Sequence, residues 1–576
     1  MSGTGDLITR IYAGFRGVDF RGEEINIVRS PDSLNVWKDY RETESIRTRP
    51  GMSLKVSFPA AVYGIFFYKG NMLVHSGKNL YKVTSGGAKT ILFSELSQTE
   101  SQGFIFEDIF YIKDGVRYLQ YDGTAIKEVE GYVPTTSIAR KPNDKKLSGG
   151  IPHEDMNMLQ SKRINTFLRD GANKVFWLDR DNIDTDFTPV VEIVSTKTGK
   201  WAAVTDKYTV DYDSGKIVFN DVPTNDAGSL LPHTDGQDDL RVTFSKTIPG
   251  YRDTILNCTL LQVFDNRVFF SGNPDHPNTV WHCSLENPAY VSDLDYYQEG
   301  IDSAAVKGLV AGNNALWVFR EPNDANTTVF YHTPTIDDEY GKVYPSAHSS
   351  VTTGCVGKAI NFNDDIVFFS PRGMEGISGD VTTEQVVAHR STLVDRKLIS
   401  EAGYKDMLLA EWEGYLLVII GDKVYLADSR TAFTNADHIE YDWFYWQLEK
   451  KITSAKVNDG VLYLGTADGV YTLTDTECDI ESYWVTPKDK FKYPQMQKTT
   501  NKKGCVTEAT GDISVYVKTD KSEWELVGTH ENVTDSFVSR IKKKKWKDVQ
   551  LKFHSKTRFS LETVTLGAWV GGYIKR

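Results

Sequence analysis

The sequence of 576 residues has little cysteine, no long apolar run and a deficit of positive charge. Its cysteines, Cys258, Cys283, Cys355, Cys478 and Cys505, are odd in number and scattered, which argues against a disulfide framework and favours folding in a reducing cytoplasm. No apolar run approaches the roughly 18 to 20 residues that span a bilayer. The first ten residues lack the basic and apolar regions of a secretory signal. We therefore expect no membrane-spanning segment and synthesis in a cytoplasm.

Motifs that carry catalysis or bind cofactors are also missing. The chain has no Walker A loop, no H-E-x-x-H pair and no nucleophile elbow, and these are the patterns that place reactive groups at fixed spacing. The sequence therefore predicts neither an enzyme nor a cofactor. Carboxylates are plentiful, so a carbohydrate-active enzyme that uses a pair of acids is the alternative from another functional class.

The composition favours β-structure. Hydrophobic residues make up 40% of the chain and aromatic residues 12%, with 29 Tyr and 28 Phe, and aromatic rings pack well on a pleated surface. Helical periodicity is scarce, and the one candidate, residues 392–401, is short. A chain of this length should divide into two to four domains.

A short pattern, an apolar run, a polar turn and a second apolar run, recurs along the chain. Successive turns are 38 to 51 residues apart, except for one gap of 158 residues. Asn, Asp, Gly and Lys suit these turns because a two-residue hairpin needs positive φ. The turns are Lys69-Gly70, Glu107-Asp108, Asp265-Asn266, Asn313-Asn314, Asp364-Asp365, Glu413-Gly414 and Asp459-Gly460.

Seven units with three or four strands each are typical of propeller blades, which bury their apolar faces against one another. We therefore predict an all-β chain with a seven-bladed β-propeller; two unrelated β-sandwiches are the alternative. The long gap, which begins with a polar linker rich in Pro and Gly, predicts an inserted small β-domain. Strand-like segments beyond residue 474 predict a C-terminal β-sandwich.

The predicted domain boundaries follow from these patterns. Residues 1–139 hold an N-terminal arm and the first blades, 140–250 the linker and inserted domain, 251–475 the remaining blades, and 476–576 the C-terminal domain. The apolar residues near Ile25 and Val28 suggest that residues 25–37 supply a strand to the last blade. An arm that reaches a neighbouring subunit is the alternative for this segment.

Charge is distributed unequally along the chain. Residues 477–576 contain 19 basic and 13 acidic residues, a net charge of +6. Because the whole chain has a net charge of −12, residues 1–476 have a net charge of −18. Most of the chain therefore repels nucleic acid, whereas the C-terminal part tolerates it.

Several stretches of the sequence resemble a family of proteins from tailed bacteriophages. FRGVDF, VRSPDSLNVWKDY and RTRPGM in the first 52 residues, and PNTVWHCS, GMEGISGD, TTNKKGC and KKKKWKDVQLKF further on, are similar to packaged-DNA stabilisation proteins, which are tail hub or nozzle components. The resemblance covers essentially the whole chain and is of the gut-phage type. These patterns concern fold and assembly rather than catalysis.

The resemblance implies a structural protein of the virion, located in the tail below the portal. It implies a homo-oligomeric ring, expected to be a hexamer, that retains packaged DNA and forms part of the conduit for its ejection. The implied partners are portal or adaptor proteins, distal tail proteins and genomic DNA, which would pass without sequence-specific binding. A host-facing protein that binds or hydrolyses carbohydrate is the alternative.

Two stretches of the sequence are candidate metal sites. The carboxylates of Asp179, Asp181, Asp184 and Asp186 lie within eight residues and offer hard oxygens to Ca²⁺. They lack the EF-hand order, so an acidic turn at a strand end is the favoured interpretation. His276, His282 and Cys283 have no second ligand pair at suitable spacing for zinc.

Two acidic and aromatic stretches, residues 285–302 and 333–345, follow blade strands. A wall around a DNA conduit must not bind phosphates, because each neutralised phosphate adds affinity and would stall the duplex. We therefore predict that some of these carboxylates line the conduit; a solvated acidic surface is the alternative. The candidates are Glu286, Asp293, Asp295, Glu299, Asp337, Asp338 and Glu339.

A basic run precedes the strand-like segment DVQLKF. It contains Lys542, Lys543, Lys544, Lys545 and Lys547, with Trp546 among them. Nucleic-acid binding with stacking on Trp546 is one interpretation, and protection of a sheet edge is another. We favour a subunit interface, in which this basic patch meets the acidic propeller of a neighbouring copy.

Overall fold

A computed structural model of the protein describes residues 6–22, 25–39, 45–142, 150–205, 207–338, 341–378, 385–435, 438–476 and 479–573. The chain divides into two compact units, residues 1–101 with 307–576, and residues 102–306. Nearly all regular structure is β. The helices of the described ranges are α1 (Tyr251–Leu256), α2 (Asp395–Leu398) and one 3-10 turn (Tyr404–Asp406). None of them is long and apolar enough to cross a membrane.

The N-terminal segment and the first blade lie in the first unit. Four of their strands, β6 to β9, form an antiparallel four-stranded meander, the first blade. The strands are β1 (Leu7–Ala13), β2 (Ser33–Leu34), β3 (Val36–Trp37), β4 (Ile46–Thr48), β5 (Gly51–Ser57), β6 (Val62–Tyr68), β7 (Asn71–Ser76), β8 (Asn79–Val83) and β9 (Lys89–Ser94).

The second unit holds two blades and the inserted domain. Blade two is β10 (Gln102–Phe106), β11 (Ile109–Lys113), β12 (Tyr118–Tyr121) and β13 (Ile126–Glu128). The inserted domain contains β14 (Thr135–Arg140), β15 (Ile151–Pro152), β16 (Lys162–Phe167), β17 (Val175–Trp177), β18 (Val190–Val194), β19 (Trp201–Val204), β20 (Tyr208–Asp211), β21 (Lys216–Phe219) and β22 (Leu240–Ser245). Blade three is β23 (Leu260–Phe264), β24 (Arg267–Ser271), β25 (Thr279–His282) and β26 (Tyr296–Gln298).

The inserted domain consists of a six-stranded sheet, ordered β15-β14-β16-β22-β18-β19, and a three-stranded sheet, ordered β17-β21-β20. The two sheets share a core of aromatic and branched side chains, among them Phe167, Phe176 and Val242. This confirms the small β-domain that the long gap in the repeat predicts.

The remaining blades follow in the first unit. Blade four is β27 (Val306–Gly312), β28 (Ala315–Arg320), β29 (Val329–His332) and β32 (Ser346–His348), with a separate hairpin of β30 (Thr335–Asp337) and β31 (Gly341–Val343). Blade five is β33 (Ala359–Phe362), β34 (Asp365–Ser370), β35 (Gly373–Ser378) and β36 (Val386–His389). Blade six is β37 (Leu408–Trp412), β38 (Tyr415–Ile420), β39 (Lys423–Asn435) and β40 (His438–Gln447). Blade seven is β41 (Ser454–Asn458), β42 (Val461–Gly465), β43 (Gly469–Thr474) and, from the N-terminal segment, β5.

The last strands combine with β1 to β4 in one eleven-stranded sheet, which we call the terminal sheet. They are β44 (Ser482–Val485), β45 (Met496–Thr519), β46 (Glu525–Val533), β47 (Ser536–Ser539), β48 (Lys544–Trp546), β49 (Val549–Ser555) and β50 (Phe559–Tyr573). The long strand β45 pairs first with β50 and then with β49. The C-terminal β-domain is therefore completed by N-terminal strands, whereas the sequence prediction assigns only residues 476–576 to it.

The hairpin turns explain why the seven blades form where they do. At each of the seven repeats, two consecutive residues adopt positive φ between the first and second blade strands, as at Asp265 (49°) and Asn266 (56°). Type I′ turns require this geometry, and their twist matches that of the strands. Six turns lie at the predicted pairs. The remaining turn, in blade five, lies at Asn363-Asp364. This is one residue before the predicted pair, because Asp365 already begins β34.

Neighbouring blades within each unit pack face to face through apolar side chains. In the first unit, blades four and five share a core that includes Trp317 and Phe368, and blades five and six share one that includes Phe369 and Val418. In the second unit, Tyr118 of blade two and Phe270 of blade three pack edge to face at 5.9 Å between ring centroids. The prediction of an all-β chain built on β-propeller blades is confirmed.

The strand that completes blade seven differs from the predicted one. Residues 51–57 pair with β43, with Val56 opposite Val470, whereas residues 33–37 pair within the terminal sheet. The prediction that residues 25–37 supply this strand is wrong, although an N-terminal strand does complete the last blade. Segment 51–57 alternates strictly, with Met52, Leu54 and Val56 separated by small or charged residues, and Val56 packs with Phe58 and Val62 of the adjoining core.

Candidate functional site

The four aspartates of the candidate calcium site do not converge on one point. Asp179 is buried and accepts a hydrogen bond from the Thr136 hydroxyl at 2.7 Å. Asp184 accepts hydrogen bonds from Ser245 and Thr247, which lower its pKa although its partial burial acts to raise it. Asp181 is half-buried and Asp186 is exposed. In the described ranges of the chain, no group of three or more His, Cys, Asp or Glu side chains could hold a metal ion.

The candidates for zinc have local partners. The His276 ring packs against Trp281, and His282 Nδ1 lies 3.0 Å from the Cys283 carbonyl oxygen. Burial raises the pKa of the Cys283 thiol to about 12, so the free cysteine carries its proton at neutral pH.

Of the acidic candidates of residues 285–302, Glu286, Asp293 and Asp295 lie between the third and fourth strands of blade three, and Glu299 directly follows the fourth. Asp293 accepts a hydrogen bond from the Tyr251 hydroxyl at 3.1 Å, and burial raises its pKa. Burial, with the nearby charges of Asp155 and Asp293, raises the pKa of Asp295 to about 6. Glu299 is buried, and Glu286 lies in a turn with φ 55°. The sequence does not indicate Asp155, because it lies in the inserted linker region.

The other acidic candidates lie on the hairpin of β30 and β31. Asp337 and Asp338 are exposed, and Glu339 lies outside the described residues. The described candidates lie after the third strand of their blade, except Glu299, which follows the fourth strand of blade three. Whether any of them lines a conduit stays a prediction.

The basic patch lies at the edge of the terminal sheet. Lys542, Lys544, Lys545 and Lys547 are exposed, and Lys543 forms an ion pair with Glu525. Strand β48 pairs with β45, with Lys544 opposite Thr499. Trp546 is 1% exposed and its ring packs against Phe491. The interpretation in which Trp546 stacks on a nucleobase is therefore wrong, because the indole belongs to the core.

An apolar surface on the terminal sheet is the feature of the molecule that most needs a partner. Ile11, Thr565, Val506 and Val538 lie directly opposite one another on four successive strands, β1, β50, β45 and β47. Directly opposed residues point to the same face of a sheet. Ile11 is 59% exposed and Val538 51%, so this row is open to solvent.

A second row extends the same surface. Leu7 lies opposite Trp569, Trp569 opposite Thr499, and Thr499 opposite Lys544 of the basic patch. Leu7 and Trp569 are also exposed. We call Leu7, Ile11, Val506, Val538 and Trp569 the apolar face. Lysine lies at its margin, which is the arrangement of an interface with an apolar centre and a charged rim.

The sequence contains a weak signal for the apolar face. In VTLGAWV the residues alternate between the two sides of β50, so that Leu566 and Ala568 are buried while Trp569 is exposed. An alternating strand with large apolar residues on both sides predicts burial on both sides. Which residues of other strands join them depends on pairing between positions about 500 residues apart, and no local pattern gives that.

A cavity of about 580 Å³ in the first unit, which we call the His389 cavity, contains several charged groups. His389 Nε2 donates to Asp395 at 2.5 Å, and its Nδ1 lies 3.4 Å from a Glu375 oxygen. Burial alone would lower the pKa of His389, but hydrogen bonds and the charges of Asp395 and Glu375 raise it to about 9. The imidazole is therefore a cation at neutral pH.

Two carboxylates that line this cavity, Glu375 and Glu440, differ in environment. Burial acts to raise the pKa of Glu375, but His389, Arg372 and the Ser370 hydroxyl together lower it. Burial raises the pKa of Glu440 on β40. The sequence does not indicate this site, because its residues come from separate strands and follow no motif.

Comparisons with known proteins give no family. No family model matches the chain, and none of the curated proteins matches it. Among solved structures, the chain is similar to the computationally designed Ika8 protein, with 12% identity over 74% of this chain and 99% of that one and a TM-score of 0.32. It is also similar to streptogramin B lyase, with 9% identity over 73% of this chain and 97% of that one and a TM-score of 0.35. BamB from Moraxella catarrhalis has 11% identity over the same shares of the two chains and a TM-score of 0.32. Likeness at this level identifies no family, and the β-propeller class rests on the seven four-stranded sheets of the described residues.

Proposed function

We propose that this protein is a structural component of a tailed-phage virion that assembles with copies of itself into a ring, the tail hub or nozzle. In this role it retains packaged DNA below the portal and forms part of the conduit for ejection, between portal or adaptor proteins and distal tail proteins. The sequence resemblance suggests the role. The apolar face is the structural observation that carries the self-association.

The physical argument rests on the cost of exposing the apolar face. Soluble monomers rarely expose contiguous apolar patches unless the patch is an interaction site. Each large apolar side chain that leaves water contributes about 1.5 to 3 kcal/mol, so five of them at a lysine-rimmed surface suit a protein interface. The terminal sheet contains β1 and β50, the first and last strands of the described residues, and the apolar face includes residues of both.

The charge of the chain fits passage of DNA. The balance of −18 in residues 1–476 disfavours phosphate binding over most of the molecule, since phosphate affinity grows with each neutralised charge. A conduit with this charge would let the duplex slide. The acidic candidates of residues 285–302 and 333–338 are the residues to test for this part of the proposal.

The experiment is sedimentation velocity of the full chain at several concentrations, together with negative-stain micrographs. We expect oligomers and ring-shaped particles for the wild type. The variant Val506→Glu/Val538→Glu should raise the dissociation constant at least about tenfold, because two charges would enter an apolar interface. Ile91→Glu, an exposed apolar site on blade one, is the matched control and should assemble as the wild type does. A wild type that stays monomeric at all concentrations would contradict the proposal.

The His389 cavity favours one second candidate, a host-facing protein that binds or hydrolyses glycans. Carboxylates whose environments move their pKa values apart, as at Glu440 and Glu375, can divide the roles of acid and base. Release of reducing sugar from bacterial surface glycans, lost in Glu375→Gln and in Glu440→Gln, would support hydrolysis. Binding on a glycan array without turnover would support a lectin role. If neither sugar release nor glycan binding is observed, only the assembly role remains.

A further inference from the structure

A second charged surface lies in the first unit, separate from the basic patch. It is an open groove of about 1110 Å³ between Gly22 and residues 25–32 of the N-terminal segment and residues that follow β44 or lie at the end of β45 and beyond. Pockets for small molecules usually measure about 300 to 1,000 Å³ and enclose the ligand. The size of this open groove therefore suits a segment of polypeptide better than a small molecule. We call it the basic groove.

Four lysines give the groove its charge: Lys488, Lys490, Lys492 and Lys518. Lys488 and Lys490 are exposed, whereas Asp489 between them is buried, so the two lysines point to the same side of an extended segment.

The acidic residues of the groove do not cancel this charge. Asp489 pairs with Arg10 at 3.0 Å and accepts a hydrogen bond from the Tyr12 hydroxyl, so one carboxylate compensates one guanidinium. Asp32 is the other carboxylate of the lining, and it accepts a hydrogen bond from the Tyr483 hydroxyl at 3.0 Å. Even without Lys490, the three lysines Lys488, Lys492 and Lys518 outnumber Asp32, so the lining keeps a positive excess.

Apolar side chains line the groove as well. Ile25 and Ile27 of the N-terminal segment are half-buried, and so is Trp524. The Lys518 ammonium lies 5.8 Å from the centre of the Trp524 ring. A partner for this groove should therefore combine negative charge with at least one apolar side chain.

The hairpin of β30 and β31 has this chemistry. Its two strands form a separate two-stranded sheet, in which Thr335 lies opposite Val343 and Asp337 opposite Gly341. Ile336 is 81% exposed and lies opposite Lys342. Asp337 and Asp338, which follow Ile336, are exposed as well, so the two aspartates outnumber the one lysine of the described hairpin residues. A two-stranded hairpin is only marginally stable in water without further packing, so this one gains from docking.

We infer that the hairpin of one copy docks in the basic groove of the next copy, with Ile336 against Trp524 and the aspartates near the lysines. This inference rests on the proposed self-assembly and adds a second pair of contacting surfaces to the apolar face. The hairpin and the groove are different parts of the chain, so the contact is heterologous. A heterologous contact that repeats by rotation closes into a ring.

Charge reversal tests the contact from both sides. In Lys488→Glu/Lys490→Glu the groove becomes acidic, and in Asp337→Lys/Asp338→Lys the hairpin becomes basic. We expect each double variant to raise the dissociation constant of assembly at least about tenfold, because like charges would face each other. The quadruple variant should return to within about threefold of the wild type. All substituted side chains are exposed, and thermal unfolding followed by circular dichroism checks that each variant is folded.

Mixing the two double variants gives an independent readout. Each retains one intact surface, so a 1:1 mixture should co-assemble, through the wild-type groove of one with the wild-type hairpin of the other and through the two reversed surfaces, which are again complementary. Self-association of either variant that equals the wild type would overturn the inference while the proposed function stands. A wild type that is monomeric throughout would overturn both.

A nucleic acid is the other class of ligand for a groove with lysines and an indole. Fluorescence anisotropy with a labelled single-stranded oligonucleotide, run on the wild type and both double variants, addresses it. Oligonucleotide binding that the groove variant loses, combined with assembly that both variants retain, would overturn the inference in favour of nucleic acid.

Discussion

The His389 side chain shows how a buried charge is retained by its neighbours. Two carboxylates, Asp395 and Glu375, flank the ring, and the Ser391 hydroxyl donates to Asp395 at 2.5 Å. The imidazolium offsets the two negative charges that burial would otherwise penalise. The compensation of these two carboxylate charges therefore depends on the protonation of the His389 ring.

We expect this interaction to make stability depend on pH. The pKa of His389 is raised from 6.5 to about 9 on folding, so its stabilisation is complete below about pH 6.5 and is lost as pH rises through about 9. The shift corresponds to at most about 3 kcal/mol, and screening at a side chain that is 28% exposed reduces it to roughly 1 to 2 kcal/mol. Urea unfolding of the wild type and His389→Gln should therefore differ most at pH 6 and least at pH 10. A difference that is independent of pH would contradict this.

A second residue-scale prediction concerns the buried pair of Arg169 and Asp239 in the inserted domain. Their side chains are 1% and 2% exposed, and Arg169 makes two charged hydrogen bonds to the carboxylate. Arg169→Met leaves the carboxylate uncompensated, so we expect a loss of about 3 to 5 kcal/mol in unfolding free energy. In the control, Arg117→Gln breaks the exposed pair with Glu128 and should cost less than about 1 kcal/mol. Equal denaturation midpoints for the two variants would show that burial does not govern this pair.

Residue chemistry predicts turns well and side-chain roles poorly. Asn, Asp and Gly tolerate positive φ, so the turn at Asn313-Asn314 can be located from two residues alone. The sequence does not reveal that Trp546 points into the core, because its neighbours are lysines on both sides. The direction of that side chain is set by the pairing of β48 with β45, which involves residues about 45 positions away.

At the scale of elements, the outer strand of blade seven joins the two ends of the propeller sequence. Strand β5 pairs with β43 over most of its length, with one irregularity between Val470 and Tyr471. Its exposed and buried sides differ: Val56 is buried, whereas Lys55 is exposed. Periodicity predicts that some N-terminal strand fills this place, but choosing between residues 25–37 and 51–57 requires long-range register. That choice is made by packing of Val56 with Phe58, Val62 and Val470.

We expect blade seven to fail when β5 cannot bury its apolar side. Val56→Asp places a carboxylate among apolar side chains and should cost about 3 kcal/mol or more. Lys55→Asp changes charge at the neighbouring exposed position and should stay within about 0.5 kcal/mol. Hydrogen exchange gives the local readout: Val56→Asp should accelerate exchange in residues 469–474, and Lys55→Asp should not. Unchanged protection in both variants would show that β5 is not needed to hold β43.

At the scale of the whole molecule, sequence repeats reveal the blades but not the terminal sheet. The blades are local meanders, so a pattern about 48 residues long contains most of each one. The terminal sheet joins β1 to β50, with Leu7 opposite Trp569, and only the fold brings these residues together. The apolar face lies on that sheet, which is why the strongest candidate surface escapes prediction from the sequence.

The inserted domain is the part of the molecule that we expect to fold alone. Its core side chains all lie between residues 167 and 244, and its two sheets contain only strands of residues 135–245. At about 110 residues the segment is long enough to bury a core without help. A fragment of residues 134–247 should therefore show near-ultraviolet circular dichroism and one cooperative thermal transition.

A core variant distinguishes native folding of this fragment from mere collapse. Phe176 is fully buried and packs edge to face against Phe167 at 5.4 Å, so Phe176→Ala should cost about 3 to 5 kcal/mol. If the domain is autonomous, the loss in the fragment should equal the loss in the same transition of the full chain within about 0.5 kcal/mol, since distant sites do not couple. A much smaller loss in the fragment would show that residues outside 134–247 complete this core, because a loosely packed collapse does not register the removal of one ring.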